Sequence, residues 1–191
     1  MTKKVKYLIS IIILCTAITL PLYIHSHQYT LENEESSIET HLNDWINKEN
    51  DYREVIPAII DIFQIGDSNT NIVLFQTDDE NMIGYASYLK GWNGKLKAVH
   101  YSFGTDKIYF EDIQTNKGKY GIILGMNPNL LIDHINVDLI DKDLHYVVEV
   151  SKEERFLKYK KLPKKMKDHV YAELILKDDN SNPLEYTEVF N

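Results

Sequence analysis

The chain has 191 residues and a formal net charge of −8, from 29 acidic and 21 basic residues. An acidic surface repels nucleic acid, so no nucleic-acid partner is expected. Cys15 is the only cysteine, which excludes an intrachain disulfide and a cysteine-based metal site. A chain of this length forms one ordinary domain or two very small ones.

The N-terminal segment has the pattern of a membrane helix. Three lysines precede an uncharged run at residues 8–24, and no acidic residue occurs before Glu32. As a helix, this run would be about 26 Å long, close to the ~30 Å hydrocarbon core of a bilayer. We therefore predict a signal-anchor or transmembrane segment at residues 1–27, with residues 8–24 in contact with the membrane.

The flanks of this run favour a retained anchor over a cleaved signal sequence. The basic residues before the run place the N-terminus in the cytoplasm, so the rest of the chain is expected outside the cell membrane, on a single-pass tether. The best cleavage site, Ile24-His25-Ser26, has a bulky isoleucine where a small residue is preferred, and cleavage remains the alternative. The exported part would hold all 29 acidic and 18 of the 21 basic residues, a net charge of −11.

Residues 28–52 are predicted to form a linker and an amphipathic helix that ends at Asn50-Asp51. Between residues 34 and 47 the apolar residues recur at helical spacing, with His41 beside them. The stripe consists of Ile38, Leu42, Trp45 and Ile46. The helix could be a stalk that continues from the membrane, but its tryptophan-containing stripe favours packing on the sheet that follows.

The pattern then changes to strands, and residues 53–105 predict an antiparallel β meander. Turn signals separate the apolar runs about every ten residues. The predicted strands are residues 55–65, 71–77, 82–90 and 95–103. Pro57 weakens the first of them, and residues 56–63 could instead form a helical turn.

Residues 106–191 predict a β-sandwich of short strands. The strand-like runs are residues 108–110, 120–124, 132–140, 144–150, 156–159 and 170–177, with an edge strand at 184–187. Six or seven short strands over about 80 residues are typical of a sandwich. The predicted fold class is thus mainly β (α+β): a membrane helix, one amphipathic helix, a meander and a sandwich.

The order of the C-terminal segments carries a resemblance. A glycine-led strand at 121–125, an Asp-His-Ile-Asn-Val strand, a Phe-Leu-x-Tyr-x-x-Leu-Pro stretch and a hairpin with an Asp-Asp-Asn turn follow one another. This region resembles small immunoglobulin-like domains of bacterial surface proteins. The whole chain is similar to signal-anchored extracytoplasmic proteins of Gram-positive bacteria. The resemblance implies an immunoglobulin-like C-terminal domain and brings no catalytic residue.

Motifs for catalysis, nucleotide binding and metal binding are missing from the sequence. It contains no G-x-S-x-G, no H-E-x-x-H and no G-x-x-x-x-G-K-[ST]. Asp178-x-Asn180-x-Asn182 and Asp67-x-Asn69-x-Asn71 match half of a calcium loop but lack its glycine and glutamate, so both are predicted to be hairpin turns. No catalytic, cofactor-binding or metal-ligating residue is predicted.

Two features are candidates for a binding surface. Trp92 lies in a Gly-Trp-Asn-Gly turn, at the tip of a predicted hairpin. Positive charge is concentrated in a predicted loop region of an otherwise acidic chain, where it could attract an anionic wall polymer or lipid headgroups. The candidates there are Arg155, Lys158, Lys160, Lys161, Lys164, Lys165 and Lys167. A solvated loop that balances the acidic residues is the alternative.

The leading hypothesis is a non-enzymatic, membrane-tethered extracytoplasmic protein that binds another envelope protein or an anionic wall polymer. An envelope glycan hydrolase is the first alternative, and a deep pocket with two carboxyl groups of raised pKa would favour it. A sensor ectodomain is the second alternative. It would need a ligand cavity between the meander and the sandwich, and a partner protein to carry the signal.

Overall fold

A long apolar helix begins the chain. The computed structural model describes residues 3–49, 54–78, 82–140, 144–166 and 169–190. Helix α1 spans Lys3–Gln28 and includes Pro21. By length and composition it could cross a membrane, although a signal sequence near an N-terminus has the same form.

A second helix, α2 at Glu35–Glu49, packs on a β-sheet as predicted. Its buried residues are Ile38, Leu42 and Ile46, each at most 1% exposed. They share one hydrophobic cluster with Val73 and Phe75 of the sheet. The stalk alternative is therefore wrong, because the apolar stripe covers the sheet. The predicted end at Asn50-Asp51 lies outside the described residues.

The sheet under α2 is an antiparallel meander, which we call the meander sheet. Its strands follow one another in the order β1-β2-β3-β4. They are β1 Pro57–Gln64, β2 Thr70–Thr77, β3 Ile83–Lys90 and β4 Leu96–Gly104. The four predicted strands are confirmed, and the helical-turn alternative for the first is wrong. Pro57 is tolerated because it is the first residue of an edge strand, opposite Thr77.

Six further strands form two three-stranded antiparallel sheets. The middle sheet has the order β5-β6-β9, and the outer sheet has the order β10-β7-β8. The strands are β5 Ile108–Thr115, β6 Gly118–Met126, β7 His134–Leu139, β8 His145–Glu149, β9 Arg155–Lys161 and β10 Ala172–Lys177. A short 3₁₀ helix, Pro128–Leu130, connects β6 to β7.

The middle sheet is buried on both of its faces. Ile122 and Leu124 of β6 share a cluster with Leu74 of the meander sheet, whereas Ile123 between them shares a cluster with Ile135 and other residues of the outer sheet. Successive strand residues point to opposite faces, which explains the alternation. The layers therefore lie in the order α2, meander sheet, middle sheet and outer sheet. The boundary predicted after residue 105 falls between two sheets that share a buried core.

The edge strand predicted at residues 184–187 is wrong. This segment makes a single β-bridge, Lys177 with Pro183, and then winds into helix α3 at Tyr186–Phe190. Pro183 has no N–H to donate to a ladder. The Glu188 carboxylate accepts a hydrogen bond of 2.8 Å from the Glu185 N–H at the start of the helix. Helical winding also brings Val189 into the core of the outer sheet.

His41 of α2 lies among the aromatic rings between the helix and the meander sheet. Its ring centroid is 5.6 Å from that of Trp45 and 5.8 Å from that of Tyr88, and its Nδ1 lies 3.3 Å from the Tyr88 hydroxyl. Burial lowers the pKa of His41 below its ordinary value, against an opposing effect of the Asp44 carboxylate.

We predict that His41 makes the protein less stable in mild acid. In the unfolded chain His41 binds a proton below about pH 6.5, whereas in the folded protein it stays neutral to a lower pH. The stability that neutral His41 contributes is therefore fully present above about pH 6.5 and is lost as the pH falls through its lowered pKa. From about pH 7.5 to about pH 5.5, the urea midpoint should fall more for the parent than for His41→Gln. Circular dichroism of the full-length chain in detergent measures this. Equal falls in the two proteins would contradict the prediction.

Candidate functional site

The predicted basic loop is for the most part a strand. Arg155, Lys158, Lys160 and Lys161 lie on β9, where the strand pairs with β6, and only the exposed lysines at 164 and 165 lie in the loop that follows. Lys167 lies outside the described residues. The strand forms because the two residues after Arg155 are buried on opposite faces of the middle sheet. The basic side chains are consequently divided between those two faces.

Two of these lysines line a groove between two edge strands. Among the described residues, β8 pairs only with β7 and β9 pairs only with β6, so each strand has an open edge. A groove of about 410 Å³ runs between them. It is lined by Phe63 of β1, by residues 146–149 of β8 and by residues 157–160 of β9. We call this the edge groove.

The walls of the edge groove differ in charge. On β9, Lys158 forms an ion pair with Glu153, and the Lys160 Nζ lies 4.7 Å from the centroid of the Tyr146 ring in a cation–π contact. On β8, Glu149 supplies the one carboxylate among the lining residues. Tyr159 is 41% exposed between the two lysines. The β9 wall therefore carries two lysines, each in contact with a neighbouring side chain, and the exposed ring of Tyr159.

Tyr146 connects the groove to the core. Burial raises the pKa of its hydroxyl to about 12. Within the described residues this hydroxyl has no hydrogen-bond partner. It lies close to Gly121, where a Cβ would come within 3.2 Å of it. Tyr146 thus presents its ring to Lys160 while its hydroxyl points between the middle and outer sheets.

Trp92 does not belong to the edge groove. It is 67% exposed in the turn between β3 and β4, beside the residues that follow α1. The neighbouring Asn93 Nδ2 donates a hydrogen bond of 3.1 Å to the backbone oxygen of Tyr29. The predicted surface residues are therefore distributed among the edge groove, the opposite face of the middle sheet, a loop and this turn.

The two calcium-like motifs form turns, as predicted. The Asp178 carboxylate accepts hydrogen bonds from the backbone N–H groups of Asn180 and Asn182, at 3.0 and 2.7 Å. In the other motif, the Ser68 N–H donates to the Ile65 oxygen at 3.0 Å, which closes the turn between β1 and β2. Across the described ranges, no group of three potential ligands is placed to hold a metal ion.

A buried ion pair was not predicted from the sequence. The Lys119 Nζ lies 2.5 Å from the Asp112 Oδ2, and the two side chains are 9% and 6% exposed. Asp112 also accepts a hydrogen bond of 3.0 Å from the Val170 N–H, and the His169 Nδ1 lies 3.2 Å from it. Burial alone would raise the pKa of Asp112, but the hydrogen bonds from Lys119, Val170 and His169 hold it below its ordinary value.

This pair fixes the loop after β9 to the middle sheet. Val170 is 58 residues from Asp112, so no local spacing predicts their contact. Asp112 and Lys119 lie on the two strands of one hairpin, whose turn at residues 115–118 is visible in the sequence. The register of that hairpin would have placed them diagonally across the strands.

Comparison of the chain with protein-family models, with curated proteins and with solved structures finds no match. A functional assignment therefore depends on the geometry of the chain itself.

We predict that Asp112→Leu alone destabilises the full-length chain by about 3–5 kcal/mol, because the charge of Lys119 loses its buried partner. The double variant Asp112→Leu/Lys119→Met removes both charges and should recover the part of this loss that comes from the unpaired Lys119, while the Val170 N–H still lacks its acceptor. Urea unfolding in detergent measures both. Glu32→Gln is the control. It breaks the exposed Lys95–Glu32 pair and should cost less than about 1 kcal/mol. Equal stability of the single and double variants would contradict the prediction.

Proposed function

We propose that the chain is a membrane-tethered extracytoplasmic binding protein whose edge groove takes an extended acidic segment of another envelope protein. Helix α1 is the tether, and the three lysines before its apolar run support a cytoplasmic N-terminus. The observation that carries the proposal is the groove itself, where two open strand edges meet two lysines.

The strand order supports an immunoglobulin-like sandwich as the scaffold of this groove. If β5 to β10 correspond to strands A, B, C, C′, E and F, the two sheets have the orders A-B-E and F-C-C′, which match the immunoglobulin arrangement. Residues of both sheets, such as Phe156 and Val137, share one core. The place of the last strand, G, is taken by the single bridge at Pro183 and by α3.

An extended polypeptide suits the groove because strand edges carry backbone hydrogen-bonding groups. A segment that adds to β8 or β9 pairs with these groups, while pockets for alternate side chains give specificity. Lys158 and Lys160 point to the same side of β9, two residues apart, so alternate acidic side chains of an added strand can meet them. At Lys158 the incoming carboxylate would replace Glu153 or share the lysine with it. Lysines on an edge strand also discourage pairing with further copies of the same chain.

The hydrolase alternative has less support from the site. Within the described ranges, the carboxyl groups with a clear shift are Asp112 and Asp178, and both pKa values are lowered. In Asp178 the cause is hydrogen bonding, first from the Asn182 side chain. A general acid for glycoside cleavage needs a raised pKa. The edge groove contributes a single carboxylate, from Glu149.

Site-specific photo-crosslinking in intact envelopes tests the proposal. A benzophenone amino acid replaces Val147, which is 60% exposed in the groove, or, as a control, Val99, which is 53% exposed on β4. We predict a protein adduct at Val147 and none at Val99. A polymer adduct at Val147, an adduct with a second copy of this chain, or equal yields at the two positions would contradict the proposal.

Charge reversal identifies the contacts within the groove. Lys158→Glu/Lys160→Glu should weaken binding of the crosslinked partner at least roughly tenfold, because two charge contacts become repulsive. Lys164→Glu/Lys165→Glu makes the same change of net charge outside the groove and should leave binding, measured in detergent without a bilayer, within about twofold. Equal losses in the two variants would show attraction by overall charge instead of recognition in the groove.

A further inference from the structure

The turn between β3 and β4 is built against the first residues after α1. The Gly91 N–H donates to the Lys95 oxygen at 2.8 Å, and the Gly94 N–H donates to the Gly91 oxygen at 3.0 Å, so the turn is closed on itself. A Cβ on Gly91 would lie 2.8 Å from two ring carbons of Tyr29, so only glycine allows this approach. Trp92 is therefore held on a fixed turn immediately beside the end of the tether.

Further contacts link this corner of the meander sheet to the tether. The Lys97 Nζ lies 3.3 Å from Oε1 of Gln28, the last residue of α1. The Lys95 Nζ lies 2.5 Å from Glu32 Oε1. Leu31 exchanges two backbone hydrogen bonds with Leu96, of 3.1 and 2.7 Å. The body and the end of α1 are thus joined through β4 and its turn.

These contacts fix the height of Trp92 above the hydrocarbon core. Tyr29 follows the last residue of α1 and is five residues beyond the end of the apolar run at residue 24, which is about 7.5 Å at the rise of a helix. Each headgroup layer of a bilayer is about 5–8 Å thick, which is half the difference between the ~30 Å core and the ~40–45 Å total. The turn that touches Tyr29 consequently lies at the level of the headgroups, where tryptophan side chains accumulate.

The end of the body that holds Trp92 is rich in lysine. The turns of an antiparallel meander alternate between its ends, so the β1–β2 turn and the β3–β4 turn lie at the same end. The Asn69 N–H donates to the Asn116 Oδ1 at 3.2 Å, and the Leu162 N–H donates to the Lys119 oxygen at 2.9 Å. These bonds bring the β5–β6 turn and the loop after β9 to that end. Its described lysines include Lys90, Lys95, Lys97, Lys117, Lys161, Lys164 and Lys165.

The opposite end of the body carries mostly acidic residues. The described acidic residues of its loops include Asp133, Glu153, Glu154, Asp178, Asp179 and Glu185. At the Trp92 end the described acidic residues include Glu32, in its ion pair, and Asp67 of the β1–β2 turn. Four more lie at this end, at the start of α2 and at the ends of β7 and β10: Glu34, Glu35, Asp138 and Glu173. Most of the described lysines of the turns and loops are therefore concentrated at the end of the body next to α1.

We propose that the lysine-rich end of the body lies on the bilayer that α1 crosses, with Trp92 among the headgroups and the lysines against anionic lipids. The proposal shares the membrane tether with the proposed function and is independent of the edge groove. Its consequence is a body held upright and close to the surface, with the edge groove running up its side.

Depth-dependent quenching of Trp92 by brominated lipids tests this proposal. The chain has two tryptophans, so the full-length Trp45→Phe variant reports Trp92 alone. It is reconstituted in phosphatidylcholine vesicles with about one-third phosphatidylglycerol, an anionic lipid. We expect lipids brominated near the headgroup to quench Trp92 at least about twofold more than lipids brominated near the chain end. Emission that only aqueous quenchers reduce would overturn the proposal.

Matched variants separate docking from tethering and from nonspecific quenching. In the background without either native tryptophan, Ile56→Trp reports the opposite end of the body, where Ile56 is 57% exposed, and it should escape lipid quenching. Leu14→Trp reports α1 and should be quenched most strongly by bromine near the chain end. If the Leu14→Trp signal is quenched in this way but Trp92 is not, docking fails and the tether stands. If neither is quenched by lipid, the tether itself fails.

Two further comparisons address the lysines and the folding of the variants. Lys117→Gln/Lys164→Gln/Lys165→Gln, or vesicles of phosphatidylcholine alone, should reduce the quenching of Trp92 by about half or more. Unchanged quenching in both would overturn the role of the lysines. If Trp45→Phe does not fold, the difference in quenching between the parent chain and Trp92→Phe gives the same quantity without a change to Trp45.

Discussion

Burial of β6 on both of its faces determines how the layers of this protein are arranged. Ile122 and Leu124 point towards the meander sheet and Ile123 points towards the outer sheet, and none is more than 1% exposed. A strand buried on both faces requires a sheet on each side. The middle sheet is thus the layer through which the meander sheet and the outer sheet hold each other, without any disulfide.

The same arrangement creates the edge groove and brings several turns to one end of the body. The strands β1, β8 and β9 are the edges of their sheets, and Phe63, Tyr146 and Lys160 of these strands line one groove. The hairpin turns of the meander and middle sheets lie at one end, joined by the bond between Asn69 and Asn116. In the proposed orientation, with α1 as the tether, the groove lies on the side of the body and is open to a partner.

Local sequence signals predicted most of the helices and strands, but they did not predict how the sheets pack on one another. The helical spacing of Ile38, Leu42 and Ile46 identified α2, and turn signals separated the strands of the meander sheet. The run Ile122-Ile123-Leu124 carries the signature of a strand covered on both sides, because three consecutive apolar residues leave no face for solvent. The two sheets that cover this strand are formed by residues far from it in the sequence, and the local sequence pattern does not identify them. The helix α3 was missed because Val189 is drawn into a core formed by distant strands.

The sequence grouped the candidate lysines in one loop region, whereas the structure distributes those it describes over two faces and a loop. A concentration of lysine was visible in the sequence, but strand alternation sends Lys160 to the edge groove and Lys161 towards Tyr120 on the other face. Trp92 was recognised as the tip of a hairpin. Its proximity to the end of α1 depends on the contact between Gly91 and Tyr29, which are 62 positions apart, and no local pattern encodes it.

Native-state hydrogen exchange of the full-length chain tests most directly whether the doubly buried strand unites the layers. Amides of residues 121–125 in β6, 72–75 in β2 and 135–137 in β7 should exchange through one global opening, with the same free energy and the same dependence on denaturant. Exchange of the β7 amides through an opening of lower energy, while the β2 amides stay protected, would contradict this account.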